Sequence, residues 1–280
     1  MRTAALVIAT VLCARAQPDL ARARAAYQRT EYQTALRLLG ADSAYDALLL
    51  AGKATFQLGE YKRSQELLDR ARQAQSRSEA YHWLGKAIGR RAETANFLVA
   101  PKLASECRKA FEKAVEIDPR NLEAWNDLYE YYLEAPGFLG GGPEKAEAAL
   151  AKIAALDAVE GEFARAKAAE KKKDFATAER CLRKATEMAP TQQGRLFDLA
   201  RFLAKRGRAQ ESDAVLAKAA AIAPDNPVLD YTRAETLIEG KRNPAEARKL
   251  LERYIASTKL TPDDPSREEA RKLLRRAGGQ

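Results

Sequence analysis

The sequence predicts an all-α protein, an α-solenoid of about seven helix-turn-helix units closed by a C-terminal capping helix. Three observations predict this fold class. The 280-residue chain is rich in alanine, leucine, glutamate, lysine and arginine, and only 7% of its residues are aromatic. No central stretch shows the alternation of apolar and polar residues that is typical of a β-strand. The sequence also repeats its own pattern with a period of about 34 residues.

The segment "LFDLARFLAKRGRAQESDAVLAKAAAIAPDN", residues 196–226, contains one whole repeat. Two amphipathic helices are predicted on either side of a turn at Gly207, and Pro224 ends the second helix because proline lacks an N–H and crowds the preceding turn. The apolar and small residues that define the phase are Leu196, Leu199, Ala200, Leu203, Ser212, Leu216 and Ala219. The same phase recurs upstream, for example at Gly59, Tyr61, Ser64, Leu68 and Ala71, and at Cys107, Phe111, Ala114 and Pro119.

This pattern resembles the tetratricopeptide repeat (TPR), in which each helix pair buries its apolar face only by stacking on its neighbours. The resemblance covers seven repeats from about Gln17 to Ser257, of which the first, around Tyr32, is shortened. Residues Ser266 to Ala277 form one more helix with a charged outer face, as a terminal cap requires. The predicted organisation is a solenoid over residues 17–257, followed by a linker and capping helix over 258–280.

The first residues predict a secretory signal peptide over residues 1–16. Arg2 precedes an apolar run from Ala4 to Cys13, which ends in the small-x-small sequence Ala14-Arg15-Ala16. A charged start, a short apolar centre and such an end are typical of an export signal, and the run is too short to span a membrane. The predicted localisation is therefore periplasmic or extracellular, or cytoplasmic if this segment is a buried N-terminal helix instead.

The charge balance of the chain gives little information about its partner. The formal net charge of +9 becomes +7 (46 basic and 39 acidic side chains) without Arg2 and Arg15. A moderate excess spread along the chain suggests an acidic partner only weakly. Nucleic acid is not predicted as a partner, because the chain lacks interleaved aromatic residues and carries an export signal. Cys107 and Cys181 occupy equivalent positions two repeats apart and are predicted to be buried and unpaired.

Two repeats are longer than the others between their helices. The third, "GRRAETANFLVAPKLASEC", gains about ten residues relative to the period, and the fourth, "YLEAPGFLGGGPEKAEAAL", gains about five. A phosphate loop would place Gly-Lys-Ser/Thr before the second helix, whereas Pro143 and Glu144 follow Gly142 here. The glycines are therefore interpreted as a widened elbow. An elbow patch of Phe97, Leu98, Phe138 and Leu139 either packs internally or forms an exposed apolar surface for a partner.

The same combination is similar to a recurrent type of exported bacterial TPR protein, in which a lengthened third repeat is paired with an AP-x3-GGG elbow. That group has no established catalytic activity, so the resemblance implies export and fold. The TPR resemblance also implies that the first helices line a concave groove. Groove residues for a partner are predicted at Arg24, Lys53, His82, Lys86, Phe163, Lys167, Phe197, Arg201 and Tyr231.

A basic row beside an apolar and aromatic row suits an extended or helical peptide with acidic and apolar side chains, unless these cations simply face solvent. His82 is the one histidine, and the sequence has no Cys-x-x-Cys or Gly-x-Ser-x-Gly motif, so no catalytic residue, metal or cofactor is predicted. The predicted function is a non-catalytic scaffold that binds a peptide or protein segment in a partly basic groove. The alternative is an enzyme subunit with a site at residues 92–106 and 135–144, where Glu93, Lys102, Glu106 and Glu144 are available.

Overall fold

The computed structural model describes residues 19–278, and within that range every regular element is helical. The predicted fold class, an all-α helical-repeat solenoid, is confirmed. The helices are α1 (described over residues 19–28), α2 (Tyr32–Leu39), α3 (Tyr45–Gln57), α4 (Tyr61–Ala74), α5 (Ser78–Thr94), α6 (Ala100–Ile117), α7 (Leu122–Glu134), α8 (Pro143–Leu156), α9 (Ala158–Lys171), α10 (Phe175–Met188), α11 (Gln193–Lys205), α12 (Ala209–Ile222), α13 (Pro227–Glu239), α14 (Pro244–Ala256) and α15 (Arg267–Ala277).

The predicted signal peptide, residues 1–16, lies outside the described residues. Among the helices of residues 19–278, none combines the length and the apolar character needed to cross a membrane.

The chain divides into two compact units within α8, between Ala149 and Leu150. In the first unit, α3 packs against α4 and α5 against α6, while α1, α2 and α3 share one apolar cluster. In the second unit, the pairs are α9 with α10, α11 with α12, and α13 with α14, and α15 covers α13 and α14. Each pair is one predicted repeat, so the helix order agrees with the period read from the sequence.

Small residues bring the helices of a pair into contact. A Cβ added to Gly52 in α3 would lie 2.6 Å from Cγ of Leu68 in α4, and one added to Gly85 in α5 would lie 2.5 Å from the ring of Phe111 in α6. Since real Cβ atoms do not approach so closely, each glycine is required for the large side chain opposite it.

Two serines stand where the repeat usually carries alanine, and both satisfy their hydroxyl groups in the same way. Ser64 Oγ donates to the carbonyl of Gly52 at 2.8 Å, and Ser212 Oγ donates to the carbonyl of Ala200 at 2.9 Å. Each bond links the two helices of one repeat across twelve residues. A buried hydroxyl is tolerated when it is paired, which explains why serine can replace alanine here.

The capping helix begins with paired side-chain and backbone hydrogen bonds. Ser266 and Glu269 form a reciprocal capping box at the start of α15, and such a cap satisfies donors that the first turn leaves open. Ala270 of α15 is completely buried against α13 and α14, together with Tyr254 and Leu251. The predicted terminal cap is therefore present.

Candidate binding site

The first unit contains a cavity of about 530 Å³ between α5 and α7. Its floor is made by Phe56 of α3 and by Cys107 and Phe111 of α6. Its walls are Lys86, Gly89, Arg90, Ala92 and Glu93 of α5, and Asp127, Glu130, Tyr131 and Glu134 of α7, with Ala104, Ala135 and Leu139 at the elbow end. A volume of this size is typical of a site that accepts a ligand or a large side chain.

The third-repeat insertion helps to build this cavity. With 17 and 18 residues, α5 and α6 are each four residues longer than α3 and α4, which have 13 and 14. Most of the insertion therefore adds one helical turn to each helix, and only residues 95–99 form the connection. The added turn of α5 carries Ala92 and Glu93 past the ordinary end of a repeat, where they line the cavity.

Gly89 keeps the floor of the cavity accessible. A Cβ at this position would lie 3.3 Å from Cys107 Sγ, so the missing side chain leaves the thiol and Phe111 facing the open space. Burial raises the pKa of Cys107 to about 12, so the thiol stays protonated near neutral pH. Both Cys107 and Cys181 are buried and unpaired, as predicted.

The glycine elbow after α7 forms the far edge of the cavity. The N–H groups of Gly140, Gly141 and Gly142 donate to the carbonyls of Gly137, Pro136 and Tyr132, at 2.8, 3.3 and 2.9 Å. A phosphate loop needs such groups for the anion, whereas these are used to close a 3₁₀ turn over Gly137–Leu139. The hydrogen bonds therefore agree with the elbow interpretation.

Comparison with solved structures identifies the fold of this scaffold. A thermophilic TPR protein of Thermus thermophilus is similar with a TM-score of 0.55 and 21% sequence identity, over 67% of this chain and 98% of its own. A tetratricopeptide repeat protein from Parabacteroides merdae is similar with a TM-score of 0.60 and 11% identity, over 94% of this chain and 99% of its own. This chain has the tetratricopeptide repeat fold. No protein-family model matches the sequence, and a search of curated proteins found no match.

In the TPR fold of this chain, most cations of the predicted basic row form ion pairs with carboxylates of the protein itself. Arg24 pairs with Asp46 at 3.1 Å, and Lys53 pairs with Glu79 at 2.8 Å. These two pairs line a second, smaller cavity of about 260 Å³ in the first unit. In the second unit, Arg201 pairs with Glu235 at 2.7 Å. The repeat pattern predicted that these cations share one face, but it did not predict that a carboxylate of the neighbouring repeat would pair with each of them.

Lys86 differs from these cations. Its Nζ lies over the rings of Trp83 and Phe56, 4.4 and 5.9 Å from their centroids. Among the described residues, no carboxylate forms an ion pair with it. Lys86 therefore places a half-buried positive charge on an aromatic surface at the cavity wall.

The prediction that His82 contacts a partner is wrong. Its side chain is 2% exposed, and it packs against Trp83 and Phe111. Its Nε2 lies 2.7 Å from Asp127 Oδ2. The ring turns inward between α6 and α7, where Asp127 of the next repeat supplies the polar partner that a buried imidazole needs.

Two aromatic residues of the second unit that were predicted to contact a partner are also buried. Phe197 is 3% exposed and Tyr231 is 7% exposed, and both belong to apolar clusters of the TPR core. They pack inside because their positions face the adjacent repeat instead of solvent. Phe163 is only half-buried, and its ring lies beneath Arg195 and Lys167 at 4.9 and 5.6 Å.

Three of the four elbow-patch residues are exposed. Phe97 is 83% exposed, Leu98 76% and Phe138 84%, so internal packing of the patch does not occur. Leu139 is half-buried at the edge of the large cavity, and its carbonyl accepts a hydrogen bond from Tyr131 at 2.9 Å.

The titratable groups of the elbows form ordinary ion pairs. Glu93 pairs with Arg90 at 2.9 Å, and Lys102 lies 4.0 Å from Glu106 on an exposed helix surface. In residues 19–278, no group of three or more histidine, cysteine or carboxylate side chains is arranged to hold a metal ion.

Proposed function

We propose that this protein is a non-catalytic binding module that holds a peptide or protein segment against the first unit. The cavity of about 530 Å³ between α5 and α7 carries this proposal. Its aromatic and thiol floor suits an apolar side chain, and a preformed cavity lets that side chain bind without first opening the core.

The partner segment places an acidic side chain near its apolar anchor. Lys86 supports this part of the proposal, because its charge lies at the cavity wall and no described carboxylate forms an ion pair with it. Arg24, Lys53 and Arg201 contribute less, since each would have to exchange an internal carboxylate for an external one. Lys86 is thus the cation of the predicted row that can bind an external carboxylate without first losing an internal one.

The module acts outside the cytoplasm, in the periplasm or cell envelope. The charged start, apolar run and small-x-small end of residues 1–16 support this location. Immunoblots of fractionated cells test it. A shortened chain in the periplasmic or extracellular fraction is expected, whereas a full-length chain in the cytoplasm would contradict export.

Filling the cavity tests the proposed function. Gly89→Leu places a side chain in the cavity and shifts Cys107 Sγ by a few tenths of an ångström, since the added Cβ would lie 3.3 Å from it. Leucine is the better helix former by about 0.8 kcal/mol, so the fold is not weakened by the backbone change. Gly194→Leu is the matched control, because this exposed helical glycine has nothing within 4 Å of an added Cβ.

The two variants are compared by crosslinked pulldown from an envelope extract, followed by mass spectrometry. Proteins captured by the unmodified chain and by Gly194→Leu should be lost with Gly89→Leu. Capture that is equal in all three proteins would show that the cavity does not hold the partner.

A further inference from the structure

The exposed part of the elbow patch lies at one end of the first unit. His82 and Asp127 bond to each other near the starts of α5 and α7, four and five residues into each helix. The C-terminal parts of the same two helices also lie together, because residues 86–93 of α5 and 127–134 of α7 line one cavity. The two helices therefore run side by side in the same direction, and both end at the elbows. Gly140 of the second elbow lies against Arg108 of α6, the helix that follows the first elbow. Phe97 and Phe138 thus extend from neighbouring connections at a single edge.

Each tip of the patch is held in a fixed conformation. In the first elbow, Asn96 Oδ1 accepts hydrogen bonds from the N–H groups of Leu98 and Val99 at 3.1 and 3.2 Å. In the second, Lys145 Nζ donates to the carbonyl of Gly140 at 2.9 Å. These bonds hold the backbone of both turns in the conformation that exposes the apolar side chains.

The shape and area of the patch do not fit a protein interface well. Phe97, Leu98 and Phe138 together expose on the order of 500 Å² of apolar surface, taking roughly 200 Å² for each aromatic side chain. A specific protein interface buries about 800 Å² on each partner and is closely complementary. Open space surrounds Gly137 and Gly142 beside the second tip, where an added Cβ would have no neighbour within 4 Å. Projecting tips of this kind suit a partner that deforms around them.

A lipid bilayer is such a partner, because apolar side chains can enter the boundary between headgroups and acyl chains without a preformed pocket. The charges next to the tips are balanced, with Lys102 and Lys145 opposite Glu106 and Glu144. Without Arg2 and Arg15 of the predicted signal segment, the chain carries a formal net charge of +7 (46 basic and 39 acidic side chains), which attracts it to anionic headgroups. We propose that the elbow patch docks the protein on an anionic membrane surface through Phe97, Leu98 and Phe138.

Vesicle sedimentation tests this proposal on the full chain without its signal segment. The probes are vesicles of phosphatidylcholine and of an equimolar mixture of phosphatidylcholine and phosphatidylglycerol. The variant Phe97→Ser/Phe138→Ser removes both tips, and Met188→Ser/Ile222→Ser is the matched control, since these residues are exposed apolar side chains outside the elbows. We expect the unmodified chain and the control to bind the mixed vesicles, and the tip variant to bind about tenfold more weakly.

A second measurement separates insertion from attraction by charge alone. Phe97→Trp keeps an aromatic ring at the tip, and its fluorescence should shift to shorter wavelength when the mixed vesicles are added. Absence of vesicle binding by the unmodified chain, equal binding by the tip variant, or no fluorescence shift would each overturn the proposal. Loss of a captured protein in the pulldown with the tip variant, without vesicle binding by the unmodified chain, would identify the patch as a protein interface instead.

Discussion

His82 Nε2 lies 2.7 Å from Asp127 Oδ2 and so joins α5 to α7, the two walls of the large cavity. The imidazole is almost completely buried, while the carboxylate remains partly accessible. The bond connects the third and fourth repeats across 45 residues of sequence. A second polar contact, from Asn121 Nδ2 at the start of α7 to Ser78 Oγ of α5 at 2.9 Å, joins the same two elements. The width of the cavity therefore depends on polar contacts between its two walls.

His82→Ala should destabilise the first unit strongly. The variant leaves a hole between Trp83 and Phe111 and removes the partner of Asp127, which together cost about 2–4 kcal/mol of the free energy of unfolding. Asp127→Asn keeps a group that can hydrogen bond and should cost only about 1 kcal/mol. Urea unfolding followed by circular dichroism measures both. A His82→Ala variant as stable as the unmodified chain would contradict the structural role of this bond.

Gly141→Ala should disturb the second elbow. An added Cβ at Gly141 would lie 2.0 Å from the carbonyl oxygen of Ala135, so the turn must open at a cost of about 2 kcal/mol or more. Gly137→Ala in the same turn has no neighbour within 4 Å and no positive φ. It should change stability by less than about 0.5 kcal/mol. Thermal unfolding distinguishes the two, and equal melting temperatures would count against the elbow geometry described here.

Phe97→Asp/Phe138→Asp should leave the fold intact. Both side chains are more than four-fifths exposed, so a charge at either site loses little packing, and the expected change is within about 0.5 kcal/mol. Circular dichroism and thermal unfolding provide the measurement. A marked drop in melting temperature would mean that these rings belong to the core.

The second unit should lose stability as the pH rises from about 4 to about 7. Burial raises the pKa of Asp198 to about 6, although Arg195 and Arg201 lie at 3.3 and 3.6 Å and favour the charged form. The folded state then keeps a proton that the unfolded chain releases at lower pH. The contribution of Asp198 to the free energy of unfolding is fully present below about pH 4. It is lost as the pH rises through the folded-state pKa, and the total loss is up to about 3 kcal/mol.

Asp198→Asn has no proton to release and should remove this part of the pH dependence. The measurement is the difference in unfolding free energy between the unmodified chain and the variant, taken from urea titrations at several pH values. A difference that stays constant between about pH 4 and pH 7 would show that Asp198 titrates normally.

The repeat was predictable from sequence because it depends on residue size at fixed spacing. Gly52 opposite Leu68 and Gly85 opposite Phe111 are pairs of small and large residues that the period places in contact. The capping helix was equally clear, since Ser266 and Glu269 are a local signal.

The site was less predictable because it depends on contacts between repeats. A helical period assigns a residue to a face, but it does not say whether the side chain turns outward or into the neighbouring pair. His82, Phe197 and Tyr231 lie at that boundary and turn inward. The ion pair of Lys53 with Glu79 spans 26 residues, and the cavity results partly from an absent side chain, at Gly89. The run from Gly89 to Cys107 predicted an insertion, but it did not show that most of the inserted residues would lengthen two helices.

Site-specific photocrosslinking tests the central claim, that the large cavity holds a partner segment. A photoreactive phenylalanine derivative replaces Ala92, which lines the cavity, or Ala74, an exposed residue at the end of α4. Both variants are produced and irradiated in cells of the source organism. A protein adduct at position 92 and none at position 74 is the predicted result, whereas adducts of equal yield at both positions, or none at position 92, would contradict it.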